Sequence, residues 1–404
     1  MLLRMAWRNL LARPLQHSLT ALAVALGVAL AMAVLLLAGA FRDGITRAAE
    51  PFDMIVGAKG SPNQLVLNTI FLQDAPIGNI SWDLYRRLEA DPRVAAAVPL
   101  GLGDNYRGYR LVGASAGIFD LRSRPGAQPY LLIGQGKIFR EDFEAVIGAA
   151  VARKLNLKVG DTFTTTHGLA GEGLEEEEHA DRPYRVVGIL SPAYGPYDQG
   201  IFTTLESLWE AHDIKEYGDG GESRREKGVT AVLVKPRSWV GLMQLYREIN
   251  AGKEAQGAFP GQVLAGLFDL LGQTRRVLEV ISGVVMAMAA ATVAVSLYWA
   301  GVARRRETAI LRALGASRRS VLILTMLEAL LVTGAGAAAG ILLGHGVSLG
   351  IGLWLREQYA LSSLPGFYPG EFFILALVLI LGLLASLMPA VAAYRSEVAP
   401  HLEE

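Results

Sequence analysis

The run Arg304-Arg305-Arg306-Glu307-Thr308-Ala309-Ile310-Leu311-Arg312-Ala313-Leu314-Gly315-Ala316-Ser317-Arg318-Arg319 lies between two long apolar stretches. It joins a cluster of positive charge to a short helix-forming piece and ends in a Gly-Ala-Ser restart. Six arginines stand here against Glu307 alone. Cationic loops stay on the cytoplasmic side of a membrane, so this stretch orients everything around it. A helix held there between two spans is placed where a soluble partner can push on it.

Working outward, four stretches reach the roughly 20 apolar residues that a bilayer crossing needs at about 1.5 Å per residue. They are 18–41, 277–302, 321–344 and 372–394. Each must be helix, because lipid offers no partner to an open backbone. Ala38-Gly39-Ala40 resembles a signal-peptide cleavage site, but the apolar run before it exceeds the roughly 7–15 residues of a signal core, and a retained anchor is favoured. Arg4, Arg8 and Arg13 precede the first span with no acid among them, whereas the loop after the third carries Arg356 with Glu357 and Glu371. Both termini are therefore expected inside, and the long region between the first two spans outside.

The resulting plan is an interface helix 1–17, a span 18–41, an extracytoplasmic α/β domain 42–270 with an inserted lobe at about 116–227, and a stalk with the second span at 271–302. A coupling loop 303–319, a span 320–344, a short outer loop 345–370, a span 371–394 and a cytoplasmic tail 395–404 follow. The fold class is a four-helix membrane protein carrying a large mixed α/β domain. Within 1–17, Arg4 and Arg8 are four apart, and Trp7 suits headgroup depth, as in a helix lying in the membrane plane. A frayed tail is the alternative.

In the outer region, 52–57, 94–98, 109–113, 162–166, 184–190 and 229–234 read as strands. The stretches 81–90, 145–157 and 239–250 read as helices, the first with Ser81 as its N-cap. Stretches 168–181 and 217–228, rich in glycine and charge, read as surface loops. In the third span Gly336, Gly340 and Gly344 repeat every four residues, and Ala21, Ala25, Ala29 and Ala33 do so in the first. Small residues at that spacing let helices approach closely in lipid, in a bundle or at a dimer face. Glu328 falls about two turns inside the third span as read, where a carboxylate must face the bundle or find a partner.

Much chemistry is excluded. The chain of 404 residues has zero formal net charge, so nothing points to nucleic acid, and without cysteine it has neither disulfides nor thiolate metal sites. Gly57-Ala58-Lys59-Gly60-Ser61 is too short for a phosphate-binding loop, and neither H-E-x-x-H nor a kinase signature is present. His167 and His179 flank four consecutive glutamates and are the candidate ligands for a divalent ion, but their spacing matches no known ligand set, and a solvated loop is favoured.

The segment Glu307–Ser317, with Trp7-Arg8-Asn9-Leu10-Leu11 and Met388-Pro389-Ala390-Val391-Ala392-Ala393, resembles the MacB/FtsX-type ABC permeases, as does the order of one span, outer domain, three spans. The resemblance implies a homodimer bound to two copies of a separate ABC ATPase, with ATP and Mg in that partner and no cofactor in this chain. It further implies that the short helix between spans two and three meets the ATPase. On that reading Ile310, Leu311 and Leu314 form an apolar face, Glu307 and Arg312 offer polar contacts, Gly315 takes a left-handed C-cap and Ser317 caps the next helix. Arg304, Arg305 and Arg306 enforce topology and meet anionic lipid. The expected role is a non-catalytic subunit of the inner membrane, for export or extraction of a lipophilic, lipoprotein or peptide cargo, with an extracytoplasmic adaptor or cargo protein as a further partner. The alternative is a signalling activator of an extracytoplasmic hydrolase or sensor. An anchored enzyme is the third reading.

Overall fold

The computed structural model describes residues 2–124, 126–167, 182–211, 227–303, 310, 312, 315–359 and 366–395. The chain separates into two compact units. One spans Arg42–Leu270 and takes in residues from Trp354, and the other holds the helices on either side of it in sequence.

Alternation builds the first unit. In β1 (Met54–Gly57) and β12 (Ala231–Pro236), Met54, Val56, Val232 and Val234 face α4 (Trp82–Ala90) and α7 (Trp239–Ala251). The residues between them, Ile55, Ala231 and Leu233, face α3 (Pro62–Phe71). Successive strand residues point to opposite faces, so a sheet apolar on both sides is covered on both sides. Ser81 caps α4, accepting from the Leu84 N–H at 3.3 Å, and Ser61 does the same for α3, where Pro62 takes the first helical position.

The strands are completed by β2 (Ile80–Ser81), β3 (Val94–Tyr106), β4 (Tyr109–Ala114), β5 (Ile133–Gly136), β6 (Glu144–Ile147), β7 (Thr162–Phe163), β8 (Thr166–His167), β9 (Tyr184–Leu190), β10 (Ile201–Thr203), β11 (Gly228–Val229) and β13 (Gln256–Ala258). The main sheet runs β13-β1-β12-β3-β4-β10-β6-β9-β5, with β7 on β9 and β8 on β3, while β11 pairs with β2 apart from it. The stretch read as an inserted lobe thus supplies β5 to β10 to the same sheet as β1, β3 and β12. β3 continues through Pro99, which a sequence reading takes as a strand end. The ladder with β4 begins only at Leu100, so the missing N–H of Pro99 costs no bond there.

The reading of 162–166 as one strand becomes the two short strands β7 and β8, and the helix read over 145–157 departs further. Ala145–Ile147, expected at the start of a helix over 145–157, is strand β6, and α5 covers only Ala149–Leu155. Three consecutive buried apolar residues paired on both edges, parallel to β9 and antiparallel to β10, gain more as a central strand than as one turn of helix. Gly148 makes the break, because a Cβ there would collide with the Asp198 carbonyl.

At the start of β6, Glu144 is nearly fully buried with its carboxylate satisfied. Lys137 donates to it at 2.9 Å, Arg185 at 3.3 Å, and the Arg140 and Glu141 N–H groups at 2.8 and 3.2 Å. Burial alone would raise its pKa, but the Lys137 bond and the two backbone donors outweigh this and bring it down to about 2. A depressed carboxylate pKa stabilises the fold above the unfolded value and loses that contribution as pH falls through the folded one. Thermal stability of the purified chain should therefore drop between about pH 4.5 and 2 by on the order of 2–3 kcal/mol. Glu144→Gln should remove that step and lower stability at pH 7; an unchanged acid limb would reject the assignment.

The second unit contains α1 (Leu2–Ala12) and most of four longer helices: α2 (Pro14–Ala49), α8 (Pro260–Ala303), α9 (Arg318–Tyr359) and α10 (Gly370–Arg395). All four are long and apolar enough to cross a membrane. α9 continues through residues expected in an outer loop, since Val347–Leu355 is as apolar as the span before it.

Side-chain size sets the packing. A Cβ on Gly336 would lie 2.7 Å from the Ala21 carbonyl, one on Gly340 2.7 Å from the Ala25 carbonyl, and one on Gly344 2.5 Å from the Met32 Cβ and 3.2 Å from the Ala29 carbonyl. The glycine stripe of α9 therefore lies directly on the alanine stripe of α2 in parallel register. That constant register places Glu328 level with Arg13, at the junction of α1 and α2. Glu328 is thus buried level with the junction of α1 and α2, with Asn9 as a partner, and the first turns of α9 extend beyond the start of α2. At the other end His345 Nε2 lies 3.6 Å from Glu371 Oε2. Val24, Val28, Met32, Leu36, Val293, Leu297 and Ala337 fill the centre.

Candidate functional site

The inner ends of α8 and α9 enclose the segment 304–317. α8 ends at Ala303 and α9 begins at Arg318. Gly315 has φ +101°, in the left-handed region that L side chains rarely adopt, and its N–H donates to the Arg312 carbonyl at 3.0 Å. Two residues on, the Ser317 hydroxyl accepts from the Ser320 N–H at 3.2 Å, satisfying an open donor of the first turn of α9. A turn that only glycine enters freely, followed by a cap, stops one helical piece and starts the next.

The expected coupling residues distribute as follows. Ile310 is exposed and Arg312 half-buried. Glu307, Leu311 and Leu314, with Arg304, Arg305 and Arg306, lie outside the described residues. Ile310 is a single exposed apolar residue among the described part of the segment, which by itself marks no surface.

Polar bonds tie the helices together at the same depth. Asn9 of α1 donates to Glu328 Oε1 of α9 at 2.6 Å. Gln16 of α2 donates to the Ser296 carbonyl of α8 at 2.8 Å, and Thr20 to the Ser296 hydroxyl at 2.9 Å. Between membrane helices each such bond contributes roughly 0.5–2 kcal/mol. Their value here is connection, because α1, α2, α8 and α9 are linked where the coupling segment joins the bundle. Sequence reading noticed Glu328 but had no means of finding Asn9, 319 residues away. Arg4, Trp7 and Arg8 lie exposed on α1.

Of the outer metal candidates, only His167 lies among the described residues. The backbone of His167 pairs with Asp104 through β8 and β3, and His179 lies outside the described residues. Among the described residues no group of three or more His, Asp or Glu side chains is placed to hold an ion. Nucleophile-elbow spacing occurs twice, at Gly346-Val347-Ser348-Leu349-Gly350 within α9 and at Gly113-Ala114-Ser115-Ala116-Gly117 after β4. Ser115 sits there in ordinary extended backbone (φ −75°, ψ 158°) without the strain of an elbow, so the match is spacing alone.

Residues 18–250 match the MacB-like periplasmic core domain family. Residues 279–398 match the FtsX-like permease C-terminal family. Among solved structures, the chain is similar to the extracellular domain of the noncanonic ABC-type transporter YknZ from Gram-positive bacteria, at 13% identity over 50% of this chain and 98% of that one, with a TM-score of 0.32. That overlap is too loose to locate any residue. No curated protein matches the chain.

Proposed function

The chain belongs to the MacB/FtsX-type ABC transporter permease family, and we propose that two copies of it receive force from two copies of a separate ABC ATPase through the segment 304–317. It is a multi-pass protein of the inner membrane with a large extracytoplasmic domain, and its general role is to transmit ATPase-driven motion to that domain. Catalysis belongs to the partner, where ATP and Mg are bound. The cargo we assign is lipophilic, a lipoprotein or a peptide, exported or extracted at the outer face, with an adaptor or cargo protein engaging the sheet domain.

One observation supports transmission of force over conduction of a polar solute. The cavity at the bundle centre, between Val24, Met286, Val293, Val378 and Gly382, measures about 20 Å³, scarcely one water. Helices packed this closely around apolar side chains can pass on a displacement. Reconstituting the chain with its ATPase and co-purified material tests the assignment. Release of a lipidated or peptide cargo on ATP addition is the expected result. A cargo-free complex that holds an extracytoplasmic hydrolase through the ATP cycle would replace transport with signalling.

A further inference from the structure

Two guanidinium groups stand on α1 without an ion pair among the described residues. Arg4 and Arg8 are one helical turn apart and so share a face, and Trp7 beside them is 56% exposed. Glu328 of α9 accepts the Asn9 bond. Across from α1, Leu331 of α9 closes an open groove of about 880 Å³ whose remaining walls include Leu3 and Met5.

The bundle register gives this groove its depth. Leu331 is three residues beyond Glu328 on α9, level with Gln16 at the start of α2, so the groove opens at the inner membrane surface where lipid phosphates lie. Its mouth is doubly cationic and its walls are aliphatic. Guanidinium pairs with a phosphodiester through directed, charge-assisted hydrogen bonds, tryptophan is at home at headgroup depth, and the aliphatic wall excludes a purely hydrophilic anion. We infer that the groove between α1 and α9 binds one anionic phospholipid per chain, its phosphate held by Arg4 and Arg8 and an acyl chain lying on Leu3, Met5 and Leu331. A zwitterionic lipid brings its own cation to the same mouth and is held less well. Because Asn9 ties α1 to α9, the bound lipid also steadies the helix that leads out of the coupling segment. The site does not depend on which ATPase or cargo the chain serves.

Native mass spectrometry of the full chain in detergent, with phosphatidylglycerol or phosphatidylcholine added, tests this. At about 1 kcal/mol per arginine at the surface, one phosphatidylglycerol per chain should be retained with a preference on the order of 10–30-fold. Arg4→Gln with Arg8→Gln should abolish the preference, and Arg4→Lys with Arg8→Lys should keep most of it. Glycerophosphoglycerol, which has the headgroup without the chains, should fail to displace the lipid. An unchanged preference in the glutamine pair, or full displacement by the bare headgroup, overturns the site. In the unaltered protein the preference should fall steeply with added salt, and a salt-independent preference overturns it as well, whatever the variants do.

Discussion

Gly340→Val should eliminate folded protein, while Gly334→Val in the same helix should be tolerated. The missing Cβ of Gly340 would stand 2.6 Å from the Val28 Cβ and 2.7 Å from the Ala25 carbonyl oxygen, and that second contact is backbone. A side chain facing backbone cannot be accommodated by a rotamer change, so α2 and α9 must separate. Ordinary overpacking costs about 1–3 kcal/mol. Separating these helices also uncovers Val24, Val28, Met32 and Ala337 and strains the register that brings Asn9 to Glu328, so the loss should exceed that range. Nothing lies within 4 Å of a Cβ on Gly334, so valine there meets lipid or open space. The measurement is the melting temperature and monodispersity of the purified chain in detergent. A fall of more than ~10 °C, or no recoverable protein, is expected for Gly340→Val, against a change of roughly 2 °C for Gly334→Val. Equal behaviour of the two would mean that the stripe is not a helix contact.

Glu307→Arg and Leu311→Asp should each abolish stimulation of the partner ATPase and leave membrane insertion intact. Insertion is determined by the length of the apolar spans and by the surrounding arginines, and neither substitution shortens a span or removes an arginine. On the proposed function, docking depends on a small apolar surface with polar groups beside it. A carboxylate at position 311 would have to be desolvated against the partner, and reversal of charge at 307 turns an attraction into a repulsion. Either penalty reaches several kcal/mol at a closed interface, which is on the order of a hundredfold or more in coupling. The readout is ATP turnover by the reconstituted complex against that of the ATPase alone. Normal stimulation by both variants would move the docking surface elsewhere, and the inward turns of α9, residues 318–327, would be the next place to look.

Several features were legible early because they are local. Ser81 precedes an apolar helical pattern and does cap α4. Tyr184–Leu190 is a strand in isolation and in the fold. Gly315 before Ser317 reads as a stop and a start, and φ +101° with a hydroxyl cap is what stands there. Other features depend on a distant partner. Ala145–Ile147 carries no sign that β9 and β10 will flank it. Pro99 looks like a strand end unless one knows that β4 begins pairing only at Leu100. Glu328 reads as a carboxylate inside a span that needs a partner, and only the fold shows that Asn9 supplies a bond to it.

By itself the sequence determined the number, order and orientation of the membrane helices and placed the arginine-flanked segment on the inner side. Hydrophobic length and positive charge act residue by residue against a solvent of fixed thickness, and they need no knowledge of neighbours. Only the tertiary structure decided that eleven of the outer strands form one sheet, that Gly336, Gly340 and Gly344 of α9 seat on the alanines of α2, and that Asn9 meets Glu328. Each of these is a pairing across long sequence separation, where many registers satisfy the local pattern. Steric fit and the satisfaction of buried polar groups, summed over the whole fold, leave one.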